Sequence, residues 1–177
     1  MATSTTQLND VDIRAVGALV EAIKAEPGRA DTTWKASVVW DGAFRTTTTI
    51  RDFPRFATDE PELLGGTDTA PNPVEQLIGA LGSCLAIGYA ANATVAGIRL
   101  DELRIDIEGE LNLETFLGLE PGNAGYETLR ATVHIESDAD EATIRDLHDK
   151  VIATSPVGHS LTRAVPLTIE LAEETVE

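Results

Sequence analysis

Apolar positions recur at helical spacing in "DVDIRAVGALVEAIKAEPG", where Val11, Ala15, Ala18, Leu19, Ala22 and Ile23 share one face. Asn9 or Asp10 offers a cap and Pro27-Gly28 a stop, which predicts an amphipathic N-terminal helix. The period then falls to two in "TTWKASVVWDGAFRTTTTIRDF". Trp34, Ala36, Val38 and Trp40 lie on one face, and Phe44, Thr46, Thr48 and Ile50 return after an Asp41-Gly42 turn, as in a β-hairpin. Residues 52–71 hold three prolines, paired glycines and five carboxylates without a period, and read as a long loop of the kind that often carries function.

The stretch "APNPVEQLIGALGSCLAIGYAAN" begins a second, longer helix. Asn72 suits the N-cap, Pro73 the first helical position and Glu75 the reciprocal position of a capping box, and the helix can run to about Ala96 before Gly97. Beyond it, "ELRIDIEGEL" alternates Leu103, Ile105 and Ile107 with Arg104, Asp106 and Glu108, and "TLRATVHIES" alternates Leu129, Ala131, Val133 and Ile135. They predict two half-buried strands joined through "GLEPGNAGY". Asp138 and Glu141 have capping-box spacing ahead of "EATIRDLHDKVIAT", whose Ile144, Leu147, Val151 and Ile152 share a face. That helix must stop before Pro156; Ser155-Pro156 then caps and starts a short helix, "PVGHSLTRA", and "VPLTIEL" reads as a last strand. Antiparallel strand runs with segregated helices predict an α+β fold.

The chain has 177 residues, 42% of them hydrophobic, enough for one core; we expect a single domain over 1–177, with 1–30 as a helical extension. Gly, Asn and Thr punctuate its richest apolar stretch, Leu77 to Val95, so no membrane span is expected. The first residues show neither a basic region nor an apolar one of secretory type, and a single cysteine suits a reducing compartment. A cytoplasmic protein is expected. A net charge of −17 with only three lysines argues against nucleic acid or an anionic membrane as partner.

Candidate chemistry centres on the one cysteine, Cys84. On a helix its neighbours are Leu77, Ala80, Leu81, Ile87 and Gly88, an apolar, small-residue face on which a thiol can simply pack. Reactivity would require something to stabilise the thiolate so far from the helix N-terminus, and Arg45, Arg51 and Arg55 are the cations that precede it. His159 lies one turn after Ser155, but no nucleophile elbow accompanies the pair; lining a Cys84 pocket is another candidate role, and capping a helix or facing solvent is the more ordinary one. His134 and His148 read as surface residues. No metal-site spacing occurs among the histidines and the cysteine, and "GGTDTAPNP" lacks the lysine of a phosphate loop, so no metal or cofactor is expected.

The stretch "DEPELLGGTDTAPNPVEQLIGALGSCLAIGYA" resembles the OsmC/Ohr family, in which a helix opened by a similar Asn-Pro motif carries a thiol. "ATSPVGHSLTRAVPLTIEL" resembles its second signature, a Cys-Pro-Val segment before a final strand. The resemblance covers nearly the whole chain from about Trp34. It implies an intertwined homodimer with an antiparallel sheet packed on long central helices and the thiol sites near the subunit interface. It also implies a peroxidatic cysteine that attacks a hydroperoxide, an arginine and a glutamate that activate it, and a second, resolving cysteine. Cys84 matches the first cysteine. Ser155 stands where the resolving one would be, so no internal disulfide can form. Glu75 lies one residue beyond the family's carboxylate position, about a hundred degrees round the helix, which favours its capping role. Arg45 falls near the family's arginine, with Arg51 behind it. The resemblance thus implies a one-cysteine, thiol-dependent hydroperoxide reductase or peroxide-responsive protein resolved by an external thiol. The alternative is a non-catalytic protein that binds a small apolar ligand in the same interface pocket.

Overall fold

The computed structural model describes residues 7–172. The first long helix, α1 (Ile13–Ala25), is capped by Asp12, whose side chain accepts from the Arg14 amide. Asn9 and Asp10 do not cap it. They lie in a tight turn at φ 52° and 56°, and the Asn9 side chain is spent elsewhere. Its amide donates to Thr94 Oγ1 (3.0 Å) and Ile98 O (2.9 Å), and its oxygen accepts from the Leu100 amide (2.9 Å). Asn9 therefore fastens the N-terminal segment to the end of the long central helix. No residue of α1 is fully buried.

The hairpin forms from β1 (Ser37–Trp40) and β2 (Thr46–Thr49), paired antiparallel from Ser37↔Thr49 to Trp40↔Thr46. Gly42, at φ 91°, supplies the left-handed backbone that the turn needs. A third strand, β3 (Phe56–Thr58), adds to the other edge of β2, inside the stretch expected to be all loop. Three residues after a proline are too few to display a period. The rest of that loop is held by Asp59, only 1% exposed. Its carboxylate accepts from the Glu60 amide and from the amides and hydroxyls of Thr67 and Thr69. These bonds to the ionised form, those of Thr67 first, hold its carboxyl far below the usual range.

The central helix α2 (Pro73–Ala96) has both halves of its capping box: Asn72 Oδ1 accepts from the Glu75 amide and Glu75 Oε2 from the Asn72 amide. It ends at Gly97 in the left-handed conformation. Next come β4 (Glu102–Leu111) and β5 (Tyr126–Glu136), a separate antiparallel pair joined through the short helix α3 (Leu113–Phe116). The following helix, α4 (Glu141–Thr154), is capped by Asp140 and not by Asp138, because Asp140 is the residue whose side chain reaches the Thr143 amide (2.8 Å). The last helix is α5 (Pro156–Thr162), capped by Ser155.

The core is the seam between α2 and α4, closed by one face of the β4–β5 pair. Leu81, Leu85, Tyr89 and Ala93 of α2 meet Leu147 and Val151 of α4 and Ile98, flanked by Leu103, Ile105, Ile107, Leu129, Val133 and Ile135. Each such aliphatic side chain contributes roughly 1.5–3 kcal/mol when fully buried. Gly88 permits the close approach, since a Cβ there would sit 3.1 Å from Val151 Cγ1. α2 has the length and apolar composition of a membrane span despite its Gly, Asn and Thr residues, yet Tyr89 and Ala93 on it are fully buried in the protein core. Residues 164–172 form no strand within this chain. Neither sheet pairs with them, and Val165, Leu167, Ile169 and Leu171 are 60% to 97% exposed. The architecture is α+β, with two antiparallel sheets.

Candidate functional site around Cys84

Cys84 sits midway along α2, on the side turned toward the α4–α5 corner, and is half-buried. Its Sγ lies 3.4 Å from Ser155 Oγ. Among the described residues, Ser155 is the one hydrogen-bonding partner of that sulfur. Two helix termini meet at Ser155: α4 ends there, and the same hydroxyl oxygen accepts from the Gly158 amide (3.1 Å) to start α5. Ser155 is 5% exposed. A cap residue with a proline behind it fixes the corner, and the corner fixes the hydroxyl.

A groove of about 660 Å³ opens beside the pair, between α2, β5 and α5. Leu77, Leu81 and Leu85 form one wall, Leu129 and Leu161 others, and Ser155 and His159 supply polar groups. Ser155 thus faces both the groove and the sulfur. His159 hangs one turn along α5, with Nε2 3.1 Å from Ala153 O, so that nitrogen carries the proton and donates.

Not every expected residue is gathered here. Glu75 is nine residues earlier on α2, about 13 Å along the axis from Cys84 at ~1.5 Å per residue. Its carboxylate is engaged at the helix cap. It also lies near Tyr126, whose hydroxyl donates to Val74 O (3.0 Å) and whose phenol is pushed up by burial and then by the Glu75 charge. Arg45 is exposed at the end of the hairpin turn, and Arg51 stacks over the Phe53 ring at 4.5 Å. Neither reaches Cys84 within this chain.

Two features escape the sequence reading. The Leu77, Leu81, Leu85 wall is the i, i+4, i+8 row beside the cysteine, of which Leu77 and Leu81 stand in the sequence as packing neighbours of Cys84 and not as the wall of a groove. His148, expected at the surface, is half-buried and hydrogen-bonded through Nδ1 to the hydroxyl of Tyr89, which is fully buried and whose phenol is pushed up by that burial. Nothing in "DLHDK" pointed to Tyr89, because the contact spans two helices.

A model of the OsmC-like protein family matches residues 66–170, which is more than half of the chain and holds both Cys84 and Ser155. The chain belongs to the OsmC-like family. An OsmC-like protein from Mycoplasma pneumoniae shares its fold at a TM-score of 0.65 and 19% identity, over 75% of this chain and 89% of that one. A Legionella pneumophila organic hydroperoxide resistance protein, OsmC, aligns at a TM-score of 0.55 and 19% identity, over 73% and 89%. An OsmC-like protein of unknown function from Vibrio cholerae aligns at 0.58 and 12%, over 73% and 94%. At these identities the likeness is one of fold. No curated protein matches the sequence.

Proposed function

We propose that this OsmC-like protein reduces hydroperoxides with Cys84 as its one redox-active thiol, in a cytoplasmic homodimer. The observation that carries the reading is the placement of Cys84. The half-buried Cys84 holds its sulfur 3.4 Å from the Ser155 hydroxyl, and Ser155 lines a groove with five leucines. In the reaction the Cys84 thiolate attacks the terminal oxygen of ROOH and the O–O bond breaks. Two electrons pass from sulfur to the peroxide; the alkoxide takes up a proton and leaves as alcohol, and Cys84 is left as sulfenic acid. An external thiol condenses with it, releasing water, and a second external thiol frees Cys84 as a disulfide of the two departs. Ser155 cannot take the resolving role, since a hydroxyl does not form a disulfide.

The homodimer is supported by what this chain leaves uncovered. A helix apolar on all sides belongs in an interior. Only 28% of the most apolar stretch of α2 is buried here, and Ile87 is 70% exposed. The hairpin sheet exposes Val38 and Trp40, and the tail exposes Val165 to Leu171. A second copy that covers α2 with its hairpin sheet brings an arginine toward Cys84, with Arg45 first and Arg51 second. That cation would stabilise the thiolate.

The test is turnover. With a small dithiol as reductant, the wild-type protein should consume an organic hydroperoxide catalytically and Cys84→Ser should not. Equal rates for the two would overturn the reading. The groove itself favours the second reading, a binding protein for a small apolar ligand, because five leucines line it and, among the described residues, no cation bonds to Cys84. Under that reading Cys84→Ser would leave binding of an apolar fluorescent probe unchanged, and hydroperoxide would not be consumed.

A further inference from the structure

The position that would hold a resolving thiol holds Ser155, and its geometry is more specific than a helix cap requires. The oxygen accepts the Gly158 N–H at 3.1 Å, which uses one of its two lone pairs. Cys84 Sγ lies 3.4 Å from the same oxygen. With Cys84 protonated, either atom can donate across that contact. Once Cys84 ionises the sulfur has no hydrogen, and only the serine O–H can donate. The amide already occupies the oxygen from the α5 side, and the hydroxyl hydrogen is free to turn to the sulfur. Ser155 is 5% exposed, so water competes little for that hydrogen.

We infer that Ser155 is a positioning residue that donates a charge-assisted hydrogen bond to the Cys84 thiolate, with the Gly158 amide orienting the hydroxyl. The inference rests on the peroxidase reading of the site, yet concerns the thiol before any oxidant arrives. Hydrogen bonds to ionised groups are about twice as strong as neutral ones, and a buried donor of this kind favours the charged form of its acceptor. The same O–H can donate to the sulfenate oxygen after oxidation. Serine at this position therefore gives up internal resolution and keeps a donor that supports both anionic forms of Cys84. The cap explains why the side chain is there; the contact with the half-buried Cys84 gives its hydrogen a function.

The experiment is a pH titration of the ultraviolet thiolate absorbance of the reduced full-length protein, referenced to Cys84→Ala, in wild type and in Ser155→Ala, Ser155→Gly and Ser155→Thr. Glycine is a tolerated N-cap and retains the fold if alanine does not. Loss of the donor should make thiolate about tenfold scarcer at a given pH below the midpoint, raising the titration midpoint by about one pH unit. Threonine should restore the wild-type midpoint. A purely structural Ser155 would lower the melting temperature in the alanine and glycine variants and leave the thiolate midpoint unmoved. That result overturns the inference. The peroxidase reading stands or falls separately, on whether the wild-type thiol is consumed by hydroperoxide.

Discussion

At the scale of residues, the site is defined by one contact, Cys84 Sγ to Ser155 Oγ. The two side chains already meet, so a thiol at residue 155 should be captured by oxidised Cys84. In Ser155→Cys, a stoichiometric dose of hydroperoxide should give an internal disulfide, seen as loss of two hydrogens by intact mass and absent when Cys84→Ser is added. Persistence of two free thiols, with the fold intact, would contradict the placement. The resemblance to the OsmC/Ohr family, carried by the Asn-Pro helix start and the Ser-Pro-Val segment, puts Ser155 at the position of the residue that would partner Cys84. The Tyr89–His148 contact was not legible in the sequence, because neither residue belongs to a motif and 59 positions separate them.

At the scale of elements, local signals that are complete within a few residues were read correctly. The capping box of α2 is one: Asn72, Pro73, Glu75 and Gly97 marked both ends of the helix. Asn72→Ala should cost about 0.5–2 kcal/mol, measured as a lowered urea midpoint with an unchanged slope. An unchanged midpoint would mean that the box contributes nothing. Where several polar side chains compete for one cap the sequence does not choose among them, as with Asp138 for Asp140 and Asn9 or Asp10 for Asp12, since only geometry tells which carboxylate or side-chain amide reaches the backbone N–H. The loop between β3 and α2 is the opposite case. Its order comes from one buried carboxylate, Asp59, with partners eight and ten residues away. Its carboxyl is held below its ordinary value, which is about 3.9 in an unfolded chain. The stability it contributes is therefore present above about pH 4 and is lost as pH falls further. Thermal unfolding followed across acid pH should show Asp59→Asn less stable than wild type at neutral pH, with a shallower loss below about pH 4. Parallel curves would contradict that role for the carboxylate.

At the scale of the whole molecule, α2 is apolar on more sides than one chain covers, and the expected final strand has no partner among the described residues. A strand is a property of a pair, so "VPLTIEL" could carry the right alternation and still form no ladder here. Both facts follow if a second copy completes the fold. Sedimentation of the wild-type protein should give twice the chain mass, and Ile87→Glu, which puts a charge on the uncovered side of α2, should shift it toward monomer. A wild-type monomer at micromolar concentration would contradict the proposed dimer. The central claim, that Cys84 is a reactive thiol toward peroxides, is tested most directly by the intact mass of reduced protein exposed briefly to near-stoichiometric organic hydroperoxide with dimedone present. The account predicts rapid addition of one dimedone in wild type and none in Cys84→Ser. An unmodified wild-type thiol would contradict it, and the groove beside Ser155 would then stand as a binding site alone.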